Sequence, residues 1–317
     1  MAQPKILVTL NVPREHLAPL DGLAELIISD HEPHPMPRAE VLEKIGTCDG
    51  LISQGELRVD EELLAVAPKL KIVANAAMGT DNLDLPALSA RGIQATNTPA
   101  AFIQSTADLT FGLILSVTRR IAEGDRFVRT GEWGKLGMQP LRWESPLLRG
   151  KNLGLIGYGK IAKEVEKRAE AFGLQVLHTR TSNPENHPNF RELDALLGES
   201  QIVVALVPHT QSTDRLMNAE RFAKMQPGSY FINVARGKVM DEAALVDALA
   251  GGHLAGAGLD VFEEEPVVNP ALFAMENVLM TPHVGGATFE ERAAGRLEAA
   301  ENVACFLKGE SIPSPVN

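Results

Sequence analysis

Short apolar runs recur along the chain, separated by stretches long enough for a helix. Residues 6–10, 50–53, 72–74, 152–156, 175–178, 202–206, 230–234 and 257–261 read as strands. Their alternation with helix-length segments predicts an α/β fold with parallel sheets. Between the third and fourth runs lies the segment 109–117, Leu-Thr-Phe-Gly-Leu-Ile-Leu-Ser-Val, whose length and apolar character suit a buried helix at a domain junction. It runs into Thr118, Arg119 and Arg120, cations suited to the negative end of a helix dipole. Residues 130–149 break the pattern with Trp133, Pro140, Trp143 and Pro146, so they are expected to form an irregular arm. A last helix is predicted over 289–307.

Two segments read as hinges: Asn97-Thr98-Pro99, and Thr281-Pro282-His283-Val284-Gly285-Gly286. If the final helix returns to the first unit, one domain is made of 1–98 and 288–317, with a dinucleotide-binding domain, 99–287, inserted in it. The length of 317 residues agrees with two domains. Proline (20) and glycine (27) are spread along the chain and no unit repeats, which argues against disorder, collagen and solenoids.

Charge narrows the partners. Thirty basic and 41 acidic residues give −11, which argues against nucleic acid or an anionic membrane as a partner. An anionic ligand must then be met by local cations. Cys48 and Cys305 read as incidental thiols rather than a disulfide framework. No His-x-x-x-His spacing supports a metal site. The first apolar run is too short for a secretory signal, and no stretch approaches the ~20 apolar residues of a membrane span, so a cytoplasmic protein is expected.

Gly154-Leu-Ile-Gly157-Tyr158-Gly159-Lys160-Ile161-Ala162 follows a predicted strand and opens a predicted helix. That context gives the Gly-x-Gly-x-x-Gly/Ala pattern its meaning. Gly157 makes the tight turn, Gly159 lets backbone approach a pyrophosphate, Ala162 allows close packing, and the amides of Lys160 and Ile161 face the phosphates. An acidic residue to hold the adenosine ribose of NAD is expected about 20 residues on. Arg180 stands there instead, followed by Thr181 and Ser182. A guanidinium pairs with the extra phosphate of NADP, which a carboxylate would repel, so NADP(H) is the expected cofactor.

Three further motifs each begin at a predicted strand end: Asn233-Val234-Ala235-Arg236-Gly237, then Gly258-Leu-Asp260-Val-Phe-Glu263-Glu264-Glu265-Pro266, then Thr281-Pro282-His283 through Thr288. Reduction of a 2-oxo acid needs a cation to hold the carboxylate and polarise the ketone, and an acid to protonate the forming alkoxide. Arg236 suits the first role and His283 the second, with Glu265 orienting the imidazole. Glu263 and Glu264 read as solvated neighbours. His31, His34, His187 and His253 lie in polar segments and read as solvated. His209, beside Pro208 at a strand end, is a candidate cofactor contact or a surface residue. Ser53-Gln54-Gly55-Glu56 is expected to face the cleft and select the substrate's tail.

At these motifs the chain resembles the D-isomer-specific 2-hydroxyacid dehydrogenase family, specifically its NADP-dependent glyoxylate and hydroxypyruvate reductase branch. The motifs match in order and spacing from Met78-Gly79-Thr80-Asp81 to the final helix. The resemblance implies two doubly wound parallel-sheet domains, with a Rossmann domain inserted into a discontinuous flavodoxin-like substrate domain. It implies Arg236, Glu265 and His283 as the catalytic set, Asp260 at the nicotinamide carboxamide, and Thr106, Pro208, Val234, Ala235 and Gly286 near the cofactor. Ala77, Met78 and Gly79 would bind the substrate carboxylate through backbone amides. Met78 stands where the family often has valine, a bulkier residue at the pocket. A homodimer is implied, and Trp143 would either reach a partner's pocket or anchor its own arm. The alternative substrates are 2-ketogluconate and 3-phosphoglycerate, the latter disfavoured because the chain stops soon after its closing helix. A dinucleotide-sensing corepressor of the same fold is the alternative outside enzymes.

Overall fold

Two parallel sheets organise the computed structural model, which describes residues 3–180 and 187–317, and the chain divides into a unit of 1–102 with 286–317 and a unit of 103–285. The boundaries expected from the sequence were 98/99 and 287/288.

The first unit holds β1 (Lys5–Val8), β2 (Glu25–Ile28), β3 (Gly50–Ser53), β4 (Ile72–Asn75) and β5 (Gln94–Thr96) in the order β2-β1-β3-β4-β5, all parallel. This is the flavodoxin-like order. Both faces of the sheet are covered, which explains why β3 and β4 are fully buried and read as unbroken apolar runs. On one face Ala299, Ala300, Val303 and Ala304 of the Phe289–Lys308 helix pack over Ile6, Val8, Ile52 and Ile72. On the other, Leu7, Leu51 and Val73 meet Ile45, Leu63 and Leu88. Asn302 ties the closing helix down, donating to Asn97 O at 3.1 Å and accepting from Ser314 N at 3.2 Å.

The second unit holds β6 (Asn152–Ile156), β7 (Gln175–Thr179), β8 (Ile202–Ala205), β9 (Ser229–Asn233), β10 (Leu254–Leu259) and β11 (Val278–Met280), in the order β11-β10-β9-β8-β6-β7. Beyond β7 a single parallel bridge, His178 to Phe190, stands where a further strand would complete a Rossmann half. The expected buried helix is longer than its apolar run, Ile103–Thr118. Its buried Thr110 and Thr118 hydroxyls donate back to Thr106 O (2.7 Å) and Ile114 O (2.6 Å), which removes the penalty of burying them. Its Leu113 lies so close to β10 that a Cβ on Gly258 would fall 3.1 Å from Leu113 Cβ.

Three expectations need correction. Residues 130–149 are not wholly irregular: they contain a helix, Glu132–Leu136, and a 3-10 turn, Pro140–Trp143. Arg120 does more than end a helix. It takes a left-handed conformation (φ 53°), caps the next helix, Ile121–Arg129, and pairs with buried Glu123 at 2.6 Å. The strand expected at 257–261 runs from Leu254 to Leu259, so Asp260 and Val261 leave the sheet.

Candidate active site

The catalytic candidates are presented by turns after β9, β10 and β11. After β9, the Asn233 side chain accepts from Ala235 N (3.0 Å) and donates to Arg236 O (2.9 Å), pinning the turn that carries Arg236. The Arg236 guanidinium donates to Ala235 O at 2.7 Å. Gly237 packs so tightly on the next loop that a Cβ there would lie 1.8 Å from Phe262 O. The turns after β9 and β10 are thereby in backbone contact, and only glycine fits.

Asp260 organises the third turn. It is 1% exposed, and its carboxylate accepts from Thr281 Oγ1 (2.6 Å), Val284 N (2.8 Å) and Gly285 N (2.8 Å), while its carbonyl accepts His283 N (2.9 Å). These bonds hold His283 at φ 53°, an uncommon conformation for histidine. Thr106 flanks the same place, since a Cβ on Gly285 would lie 3.1 Å from Asp260 Oδ2 and 3.4 Å from Thr106 Oγ1.

The structure brings His283 and Glu265 together, His283 Nδ1 lying 2.7 Å from Glu265 Oε2. The other oxygen, Oε1, accepts Phe262 N at 3.0 Å. Burial pushes the Glu265 carboxyl up, but the hydrogen bond and charge of His283, the Phe262 amide and the Arg236 charge outweigh it. The carboxyl is held below the usual carboxylate range. An ionised Glu265 on Nδ1 fixes the ring and leaves Nε2 as the atom that can carry a proton to a reacting oxygen.

The glycine loop is closely packed at Gly157 and open at Gly159. Gly157 sits at φ 96°, and a Cβ there would meet Val207 at 2.8 Å and Leu206 O at 3.0 Å. Gly159 caps the Lys160–Ala171 helix without a side-chain bond, and a Cβ there would meet nothing within 4 Å. The first-turn amides of Lys160 and Ile161 thus begin at an open space of the kind a pyrophosphate occupies. Val234 is buried, Ala235 half-buried and Pro208 exposed, its carbonyl accepting Thr213 Oγ1 at 2.6 Å. Arg180, half-buried just past β7, acts electrostatically on Tyr158 and His178. Thr181 and Ser182 lie outside the described residues.

Sequence reasoning missed the cluster that braces this loop. Tyr158 stacks on His178 with ring centroids 3.7 Å apart, and its hydroxyl donates to Glu166 on the following helix. Burial and then Glu166 push the Tyr158 phenol up to about 12. His178 Nε2 lies 3.0 Å from His187 Nδ1, so His187 is not simply solvated. Burial, followed by the charges of His187 and Arg180, lowers His178 to about 4. His31, bonded to Glu40 (2.7 Å), and His253, bonded to Met225 O (3.0 Å), also have partners, while His34 is exposed as expected. His209 is taken by Asp214 at 2.9 Å.

Glu242 was missed as well. Buried at the start of the Glu242–Ala250 helix, it accepts the amides of Glu263 (3.1 Å) and Asn269 (2.8 Å), clamping both sides of the loop that carries Glu265. Glu263 is not a bystander either: it pairs with Arg215 and accepts Glu242 N at 3.4 Å.

In the first unit, the carbonyls of Ala77, Met78 and Gly79 are taken by Thr98 N (3.1 Å), Asn97 Nδ2 (2.8 Å) and Asn75 Nδ2 (2.8 Å). The loop is pinned through its acceptors. The amides of Met78 and Gly79 donate to no backbone carbonyl among the described residues. Gly286 lies against Phe102, whose Cδ1 would be 2.7 Å from an added Cβ. Trp143 packs edge-on to Phe127 (5.3 Å) beneath Arg120 and Arg142, anchored within its own unit.

A parallel-sheet unit with a glycine loop opening a helix, joined to an arginine and a glutamate-paired histidine on strand-end turns, is the arrangement expected of a nucleotide-dependent dehydrogenase. Residues 111–285 match the model of the D-isomer specific 2-hydroxyacid dehydrogenase NAD-binding domain, and the chain belongs to that family. It is 42% identical to a glyoxylate reductase of Pyrococcus horikoshii and 40% identical to one of Pyrococcus furiosus, each over 99% of this chain and 96% of the relative. Among solved structures, a protein of Thermus thermophilus superposes with a TM-score of 0.90 at 39% identity, covering 99% of this chain and all of the other. An NADPH-dependent glyoxylate/hydroxypyruvate reductase of Sinorhizobium meliloti, in complex with NADP and malonate, gives 0.87 at 33%, covering 99% and 97%.

Proposed function

We propose that the chain reduces small 2-oxo acids, glyoxylate and hydroxypyruvate first, to 2-hydroxy acids, using NADPH and giving the D product where it is chiral. The observation that carries this reading is the His283–Glu265 pair on a turn locked by Asp260. Bound NADPH would supply the hydride to the substrate's C2. Arg236 holds the carboxylate and polarises the ketone, His283 Nε2 gives its proton to the ketone oxygen, and Glu265 balances the imidazolium charge before transfer. The pinned loop 77–79 offers the amides of Met78 and Gly79 to the carboxylate. The glycine loop and the amides of Lys160 and Ile161 receive the pyrophosphate, while Arg180 receives the 2′-phosphate, with Thr181 and Ser182 as further donors. Thr106, Pro208, Val234, Ala235, Asp260 and Gly286 border the nicotinamide half.

We place the enzyme in the cytoplasm as a homodimer. The arm supports the second assignment, since Ile121, Val128, Trp133, Leu136, Met138, Leu141 and Leu147 expose apolar surface over one short stretch. No described helix is long and apolar enough to cross a membrane. His283→Ala should lower kcat for glyoxylate by about 10²-fold or more while NADPH still quenches or shifts protein fluorescence at the same concentration. Unchanged turnover would remove His283 from the mechanism.

A further inference from the structure

Arg215, in the second unit, holds a backbone conformation that its residue type disfavours. Its φ is 44°, in the left-handed region that glycine and asparagine tolerate and where a long side chain is an outlier. Two anchors keep it there. Its amide donates to Lys238 O at 2.8 Å, and its guanidinium donates to Glu263 Oε1 from Nε (3.1 Å) and Nη2 (2.5 Å). The first anchor lies just past Arg236, in the turn after β9. The second lies just before Glu265, in the loop after β10.

The segment that carries Arg215 is itself fixed. Before it, Pro208 O accepts Thr213 Oγ1 (2.6 Å), Thr210 N donates to Thr213 Oγ1 (2.7 Å), and His209 meets Asp214 (2.9 Å). After it, Met217 N donates to Val239 O (2.9 Å) and Asp241 N to Met217 O (2.9 Å), a short parallel bridge to the Arg236 turn. Backbone alone therefore joins this segment to the turn of Arg236. Its hold on the loop of Glu265 is the side chain. The Glu263 carboxylate, 19% exposed, gives Oε1 to Arg215 and Oε2 to the Glu242 amide at a long 3.4 Å, so the guanidinium is its firmer grip. An exposed ion pair contributes little to stability, and a strained backbone costs some. The arrangement is accounted for if it fixes a register: a strained residue persists where its surroundings over-determine it, most often at a functional site.

We propose that Arg215 is a positioning residue, which through Lys238 O and Glu263 sets the loop of Glu265 against the turn of Arg236 so that the Glu265–His283 pair and Arg236 address one carbonyl group. The inference rests on the reading of Arg236, Glu265 and His283 as the catalytic set. Arg215 touches none of the reacting atoms. It acts on the placing of Glu265, and hence of the His283 ring, where an error of about 1 Å can cost a factor on the order of 100 in rate.

The test uses Arg215→Gly, which removes the guanidinium while relieving the backbone, Arg215→Lys, which keeps the charge and the strain, and Glu263→Gln. With NADPH and glyoxylate, Arg215→Gly should lower kcat about tenfold, leave both KM values within about twofold, and leave Tm no lower than that of the wild type. Arg215→Lys should recover part of the loss. Adding Glu263→Gln to Arg215→Gly should cost nothing further, because the two residues act as one pair. A wild-type kcat in Arg215→Gly, or losses that multiply in the double variant, overturns the role. Should the chain reduce no 2-oxo acid, the failure is that of the proposed activity, and amide hydrogen exchange over residues 260–269 still decides the positioning. Exchange about tenfold faster in Arg215→Gly than in the wild type, and slowed again in Arg215→Lys, supports it; equal exchange in all three overturns it.

Discussion

His283 is set by hydrogen bonds to its neighbours more than by its own residue type. Glu265 and Asp260 each use their carboxylates to fix backbone amides, at Phe262 and at Val284 and Gly285, so a turn with positive φ at His283 becomes a rigid mount. His178 shows the opposite use of a histidine. Its folded-state pKa, about 4, lies below the ordinary 6.5, so between those values the unfolded chain binds a proton that the folded chain refuses. Its contribution to stability is therefore complete above about pH 6.5 and is lost as the pH falls towards 4. Urea unfolding of the wild type should show this decline, and His178→Phe, which keeps a ring against Tyr158, should flatten it. Parallel curves would exclude the effect. Residue types at motif positions single out Arg236, Glu265 and His283 as candidates in the sequence, and the structure pairs the last two. The pairs Tyr158–His178 and Glu242–Glu263 were not, because each joins residues 20 or so apart that only the sheet brings together.

Among elements, the strands that sequence patterning passed over are β2, β5 and β11. All three are edge strands. β2 is partly exposed along its whole length, and β5 and β11 have three residues each, so none shows the unbroken apolar run that burial on both faces imposes on β3, β4 and β8. The overrun at 257–261 has a related cause, since apolar Val261 extends the run past Asp260, although both residues lie beyond the strand's end at Leu259. The Glu242–Ala250 helix gives the loop of Glu265 its fixed point. Glu242→Ala should remove the acceptor of two part-buried amides and lower stability by about 1–3 kcal/mol, with a fall in kcat larger than any change in the NADPH KM. Wild-type Tm and kcat in that variant would show that the loop stands without the clamp.

At the scale of the whole molecule, two parallel-sheet units share one chain, and the first is completed by the Phe289–Lys308 helix after the chain has passed through residues 103–285. The order of elements predicts two sheets, because a chain with one glycine loop and an equally regular set of strands before it needs them, and two parallel sheets are present. The net charge of −11 has a restricted meaning. It bears on extended polyanions, whereas Arg180, Arg236 and the Lys160–Ala171 helix amides provide positive potential where a dinucleotide and a 2-oxo acid would bind. Cofactor choice and substrate class meet in one steady-state comparison: oxidation of NADPH and of NADH, followed by absorbance, with glyoxylate as the acceptor. Glyoxylate-dependent oxidation of NADPH should be rapid, with kcat/KM about tenfold or more above that for NADH. No oxidation of either cofactor, or a preference for NADH, would contradict it.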